Sequence, residues 1–143
     1  MNPNYNRTIT VYNCLRAEDN PDSTKDIWYR TVLTNCFYKN ELGRVDLDKS
    51  SRMAGVYTAR IPESADYRPY HEWCTLSAVE RDKYFTFSLG DIVVLGECVE
   101  EITGESLGTA SELLQRYKPD AFKATAFSDN TSHIAGKHYR VGG

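Results

Sequence analysis

Apolar and polar residues alternate from the first stretch of the chain. In residues 7–13, RTITVYN, Ile9 and Val11 point one way while Thr8, Thr10 and Tyr12 point the other. That period of two predicts a half-buried strand. CLRAEDNPDSTKD follows, and its Asn-Pro and Asp-Ser pairs mark a loop. Residues 27–40, IWYRTVLTNCFYKN, are the longest strand-like run. Ile27, Tyr29, Thr31, Leu33 and Phe37 share one parity; Trp28, Arg30, Val32, Cys36 and Tyr38 share the other. Aromatic and β-branched residues dominate both sets, so the run predicts one long strand, or two bent at Thr34-Asn35. ELGRVDLDKSSR predicts a hairpin or loop, and MAGVYTARIP a strand ended by Pro62.

Residues 62–83 break the pattern. Pro62 and Pro69 block regular pairing. Ser77 with Glu80 forms a capping box that predicts a short helix. YFTFS and DIVVLGECVEEI then predict a hairpin turning through Leu89-Gly90. Thr109 and Glu112 form a second capping box, opening a helix whose apolar side is Leu113, Leu114 and Tyr117. Lys118-Pro119-Asp120 stops it. AFKATAFSDN and KHYRVGG predict two last strands, joined by a polar loop that includes Gly136. The expectation is a mainly β fold in a single domain, 1–143: a small β-barrel or sandwich of about six to eight strands with one or two short helices.

FSLGDIVVLGE, residues 87–97, poses a chemical question, because two carboxylates flank an apolar run. Asp91 and Glu97 are six residues apart, which along a straight strand is roughly 20 Å. Carboxylates that share acid and base work stand about 5–9.5 Å apart. The segment therefore predicts scaffold, with Gly90-Asp91 as a turn and Gly96 as a break. Ile92 to Leu95 has no polar alternation, so both its faces are expected to be covered.

Composition narrows the functional classes. Hydrophobic residues make up 41% of the 143, and the mean hydropathy is −0.54. No apolar run reaches the roughly 18–20 residues that span a bilayer, and MNPNYNRTIT lacks a charged-then-apolar signal pattern. The expectation is no membrane association and a cytoplasmic location. Net charge is −3, against the strong basic excess of a dedicated nucleic-acid binder. The sign is uneven: from Thr109 onward five Lys/Arg face three Asp/Glu, a net of +2, leaving −5 before it. The acids Glu97, Glu100, Glu101 and Glu105 precede that switch.

Cys14, Cys36, Cys74 and Cys98 are scattered and are expected to be reduced, with Cys36 and Cys98 buried. His71-x-x-Cys74 has metal-ligand spacing but no second pair. His133 and His138 fall in or beside the final hairpin. The chain contains no phosphate-binding glycine motif and no HExxH. No catalytic residue, cofactor or metal is expected. The candidate site is instead a partner-contact loop built on Tyr67, Arg68, Tyr70, His71 and Trp73, with the polar loops 18–26 and 39–52 as further contact segments.

Several longer motifs carry a family resemblance. They are TITVYN (8–13), WYRTVLTNCF (28–37), Arg60-Ile61-Pro62, GDIVVLGE (90–97), EITG (101–104), LLQRY (113–117), Phe122 with Ser128-Asp129-Asn130, and the terminal KHYRVGG. The chain resembles a family of small structural proteins of bacteriophages and prophages of Gram-positive bacteria. More distantly, it is similar to minor capsid and head-closure proteins of the head–tail connector. The resemblance implies a non-enzymatic ring homo-oligomer between portal or adaptor proteins and tail proteins. It also implies DNA passing a lumen without specific binding, and a location in the host cytoplasm during assembly and then in the virion. The alternative is a phage-encoded binding protein that inhibits a host defence factor.

Overall fold

The computed structural model describes residues 3–47, 50–104, 108–132 and 134–143, with backbone alone for 41–47 and 50–55. Seven strands form one antiparallel sheet: β1 (Arg7–Leu15), β2 (Ile27–Leu47), β3 (Ser50–Pro62), β4 (Ile92–Leu95), β5 (Ala121–Lys123), β6 (Ala126–Asp129) and β7 (His138–Gly142). Their order across the sheet is β5-β4-β1-β2-β3-β7-β6. The two edge strands, β5 and β6, are consecutive in the chain with only Ala124 and Thr125 between them. Ala124 N–H bonds to the Asp91 carbonyl at 2.7 Å, and Thr125 N–H to that of Gly142 at 2.8 Å. The sheet therefore curls until its edges meet in one stretch of chain, which gives the expected small β-barrel form.

The helices are short. α1 is Tyr70–Trp73, α2 is Ala78–Arg81 and α3 is Ala110–Tyr117; one 3₁₀ turn covers Ala17–Asp19. The N-cap half of both expected capping boxes forms. Ser77 Oγ accepts Glu80 N–H at 3.3 Å, and Thr109 Oγ1 accepts Glu112 N–H at 3.2 Å. No helix among the described residues is long and apolar enough to cross a membrane.

Two apolar layers explain the strand patterns. Inside the barrel lie Ile9, Val11, Ile61, Val93, Phe122 and Val141, among others. On the outside, Tyr12, Ile92, Val94 and Ala121 pack with Cys98, Ile102 and Leu113. β4 lies between these layers, so Ile92, Val93 and Val94 are all buried and its lack of alternation follows. Each such burial stabilises by about 1.5–3 kcal/mol.

β2 is one strand, with its bend at Asn35. Against β1 the register runs Ile9↔Leu33 and then Arg7↔Cys36, an irregularity of one residue, and Asn35 has φ +57°. This bulge reverses the parity of the strand. Leu33 before it and Cys36 and Tyr38 after it all join the barrel interior. Phe37, assigned by simple alternation to the Leu33 side, instead lies on the other face, 6.3 Å from the Tyr5 ring and 5.1 Å beneath the Arg60 guanidinium.

One expected feature is corrected. YFTFS is not a strand paired with β4; β4 pairs with β1 and β5. Phe85 and Phe87 are buried in the barrel, and the backbone of Thr86 is bonded by a side chain. Asn13 Nδ2 donates to the Thr86 carbonyl at 2.6 Å, and Thr86 N–H donates to Asn13 Oδ1 at 3.3 Å. One amide thus replaces a neighbouring strand at Thr86, while Phe85 forms a single parallel bridge with Tyr67. Of the hairpin or loop expected for ELGRVDLDKSSR, the hairpin forms: the described residues of 39–52 continue β2 and β3, paired from Phe37↔Arg60 to Leu47↔Ser50. Asp48 and Lys49 lie outside the described residues.

Candidate functional site

The aromatic loop after β3 turns inward because its rings are apolar and the barrel end is open to them. The Tyr67 ring stacks on Tyr139 with centroids 4.2 Å apart and lies 6.0 Å from both Phe85 and Phe87. Arg68 N–H bonds to the Phe85 carbonyl at 2.9 Å, while its guanidinium lies 4.3 Å over Tyr84. Trp73 is completely buried, edge-on to Tyr29 at 5.4 Å, with Nε1 donating to the Tyr84 carbonyl at 3.3 Å. Of the five proposed contact residues, Trp73 offers no surface, and Tyr67, Arg68 and Tyr70 are half-buried. His71 in α1 is exposed.

Tyr70 joins this loop to the one after β1. Its hydroxyl donates to Asp19 Oδ2 at 2.8 Å and accepts Arg16 N–H at 3.3 Å. The Arg16 guanidinium lies 4.3 Å over the Tyr70 ring, and its Nε donates to Asp19 at 3.2 Å. The Tyr70 hydroxyl and then Arg16 hold the Asp19 carboxyl below its usual range. Two of the loops singled out by sequence are therefore fastened together.

Beneath them is a cavity of about 240 Å³ between β1, the 88–92 turn and α3, walled by Cys14, Trp28, Asp91, Leu114 and Lys123 among others. Asp91 is 1% exposed. Its Oδ1 accepts Cys14 N–H at 3.1 Å; its Oδ2 accepts Asn13 Nδ2–H and Ser88 N–H, each at 2.9 Å. Burial lifts its carboxyl to about 6, against the pull of these donors and the charge of Arg16. The same burial, with Asp26 and Asp91 nearby, pushes the Cys14 thiol up to about 12, so it is protonated and a poor nucleophile at neutral pH. With three donors on two oxygens, Asp91 fastens β1 to the 86–91 segment. Glu97 is exposed at the opposite end of β4, so the two carboxylates do not form a pair.

The remaining sequence candidates are dispersed. His71 and Cys74 lie on α1 and at its end, and no group of three or more metal-ligating side chains occurs among the described residues. His138 opens β7, its Nδ1 2.7 Å from the Gly136 carbonyl; His133 and Glu105 lie outside the described residues. All four cysteines are free, with Cys36 and Cys98 buried. Glu100 pairs with Arg116 at 2.9 Å, and its carbonyl accepts the Tyr12 hydroxyl at 2.6 Å, holding the acidic segment on the barrel wall.

The hairpin expected as one of two forms for ELGRVDLDKSSR leaves unpartnered edges. β1 covers β2 only as far as Cys36, and β7 covers β3 only from Thr58. Gly143 extends that cover to Tyr57 through paired backbone bonds of 2.9 and 3.2 Å. Beyond this, 41–47 and 50–56 form a two-stranded ribbon with no further strand on either edge among the described residues. Asn40 Nδ2 secures its base to the Pro119 carbonyl at 2.9 Å. The alternation of ELGRVDL was the available signal, but its charges and glycine made a loop equally consistent.

No curated protein and no solved structure matches the chain. A family model matches residues 4–143, and the chain belongs to that family, the family of unknown function DUF6751.

Proposed function

We propose that this protein is a non-enzymatic assembly subunit, a ring component of a tailed-phage head–tail connector set between portal or adaptor proteins and tail proteins. It would act in the host cytoplasm during assembly and then in the virion. The observation that carries this reading is the ribbon beyond Asn40 and Val56, with no further strand on either edge among the described residues, standing on a curled sheet. A two-stranded hairpin alone is marginally stable in water. Its open edges are templates for pairing with another chain. A fastened barrel with a projecting ribbon suits a subunit that holds neighbours. The net charge of −3 supports a lumen that repels phosphate, so that DNA passes without sticking.

The test is complementation of phage particles that lack the protein. Without it, heads should lose DNA or fail to attach tails. A variant with residues 41–55 replaced by Asn-Gly should fold yet fail to restore infectivity. Normal particles formed in its absence would overturn the connector reading in favour of an inhibitor of a host factor.

A further inference from the structure

Across β2, β3, β7 and β6, one row of directly opposed residues runs Phe37↔Arg60↔Arg140↔Ser128. Their neighbours along the strands, Ala59, Ile61, Tyr139 and Val141, are buried in the barrel interior, so the row faces outward. The outward positions on either side of it include Lys39 and His138 and no Asp or Glu, in a chain of 20 acids against 17 bases. Asp129 stands on the inward register, opposite Tyr139, and its Oδ1 accepts the Thr131 N–H and hydroxyl. Glu63 lies beyond the end of β3.

Arg60 and Arg140 are thus directly opposite each other, where like charges destabilise a sheet. Neither guanidinium makes a hydrogen bond or ion pair among the described residues. Arg60 lies 5.1 Å over the Phe37 ring, on the β2 side of β3 and away from Arg140. Asn130 Nδ2 donates to Ser128 Oγ at 3.2 Å, which leaves the Ser128 hydroxyl hydrogen to donate outward.

We infer that this outer wall docks an acidic surface of a protein partner, whose carboxylates are taken by Arg60 and Arg140. The inference rests on the assembly reading above and names the chemistry of the neighbour's surface. Charge complementarity argues the occupant: carboxylates laid on the wall offset a repulsion that nothing in the chain offsets, and each guanidinium fork matches a carboxylate with two parallel bonds. The composition argues for protein, because Arg and aromatic residues are the types enriched at protein interfaces. Phe37 lies beneath Arg60, and the Tyr5 ring is 6.3 Å from Phe37. Nucleic acid fits less well, since a net charge of −3 repels phosphate at long range.

The experiment is a titration of the isotope-labelled full chain with an oligoglutamate peptide at low salt, followed by amide chemical shifts. A thymidine oligonucleotide is titrated in parallel. The peptide should shift the amides of Arg60, Arg140 and Ser128. Arg140→Gln should weaken its binding about two- to fivefold, the size expected for one exposed charge contact. The denaturation midpoint of that variant should be no lower than that of wild type, because the change removes a like-charge pair and no contact. Shifts elsewhere, no shifts, unchanged binding by the variant or a lowered midpoint overturn the docking. Tighter binding of the oligonucleotide at these amides overturns it in favour of nucleic acid, and shifts there on concentrating the protein alone overturn it in favour of a second copy. Normal particles formed without the protein overturn the assembly reading separately, so the two failures are distinguishable.

Discussion

The Asp91 carboxylate accepts the side-chain amide of Asn13 at 2.9 Å across 78 positions of sequence. Asn13 uses the rest of that amide on the backbone of Thr86. Two polar side chains, each essentially excluded from water, thereby hold β1, the 84–88 segment and the turn before β4 together. Buried polar groups so bonded are costly to alter singly, because each partner is left without an exchange for the water it lost.

Asp91→Asn tests this arrangement. In either orientation the new amide nitrogen faces an existing donor, Cys14 N–H or the Asn13 and Ser88 donors. The expected loss is about 1–3 kcal/mol at neutral pH. An unchanged denaturation midpoint would show that these bonds contribute nothing.

The same residue sets a pH dependence. Burial places its folded pKa at about 6, above the unfolded value of about 4. The folded state therefore holds the proton more tightly. The stability this contributes is full below about pH 4 and is lost as pH rises through about 6, a change on the order of 2–3 kcal/mol. Other carboxylates cancel when wild type and Asp91→Asn are compared at each pH. The advantage of wild type should grow between pH 7 and pH 4, and a flat difference would contradict the assignment.

Asn35 sets the phase of β2. Its deletion would remove the bulge and turn Cys36 and Tyr38 away from the core, or else shift the whole β2–β3 register. The expected outcome is loss of cooperative unfolding by calorimetry. Asn35→Gly, which accepts φ +57° without strain, should stay within about 1 kcal/mol of wild type. A cooperative deletion variant with native stability would refute the role of the bulge.

Gly90 has φ +96°, and an added Cβ would meet nothing nearer than Lys123 Cε at 3.9 Å. Space is not the obstacle at this position; backbone conformation is. Gly90→Val should cost more than about 1 kcal/mol, in line with strained positive-φ residues. Gly90→Asn, which tolerates that region better, should cost less. Equal stabilities for the two variants would place the cause outside the backbone.

The sequence by itself determined whatever depends on a few neighbouring residues. The alternation in RTITVYN, the unbroken run Ile92 to Leu95, and the boxes Ser77–Glu80 and Thr109–Glu112 each report a local period or a local hydrogen bond. The structure contains the corresponding strands and helix starts. Tertiary structure decided what depends on partners distant in the chain. The turn at Gly90-Asp91 was visible, but Asn13 as its partner was not, because nothing local ties residues 78 positions apart. YFTFS has the composition of a strand, yet Phe85 and Phe87 fill the barrel while its backbone bonds to the Asn13 amide and to the 66–68 segment, partners distant in the chain, instead of to β4. A single left-handed residue reversed the faces of β2, and alternation counted from sequence cannot detect an inserted bulge. The ribbon was legible only as a hairpin or a loop: its charged, glycine-containing sequence suits solvent, and the register with β3 decided for the hairpin.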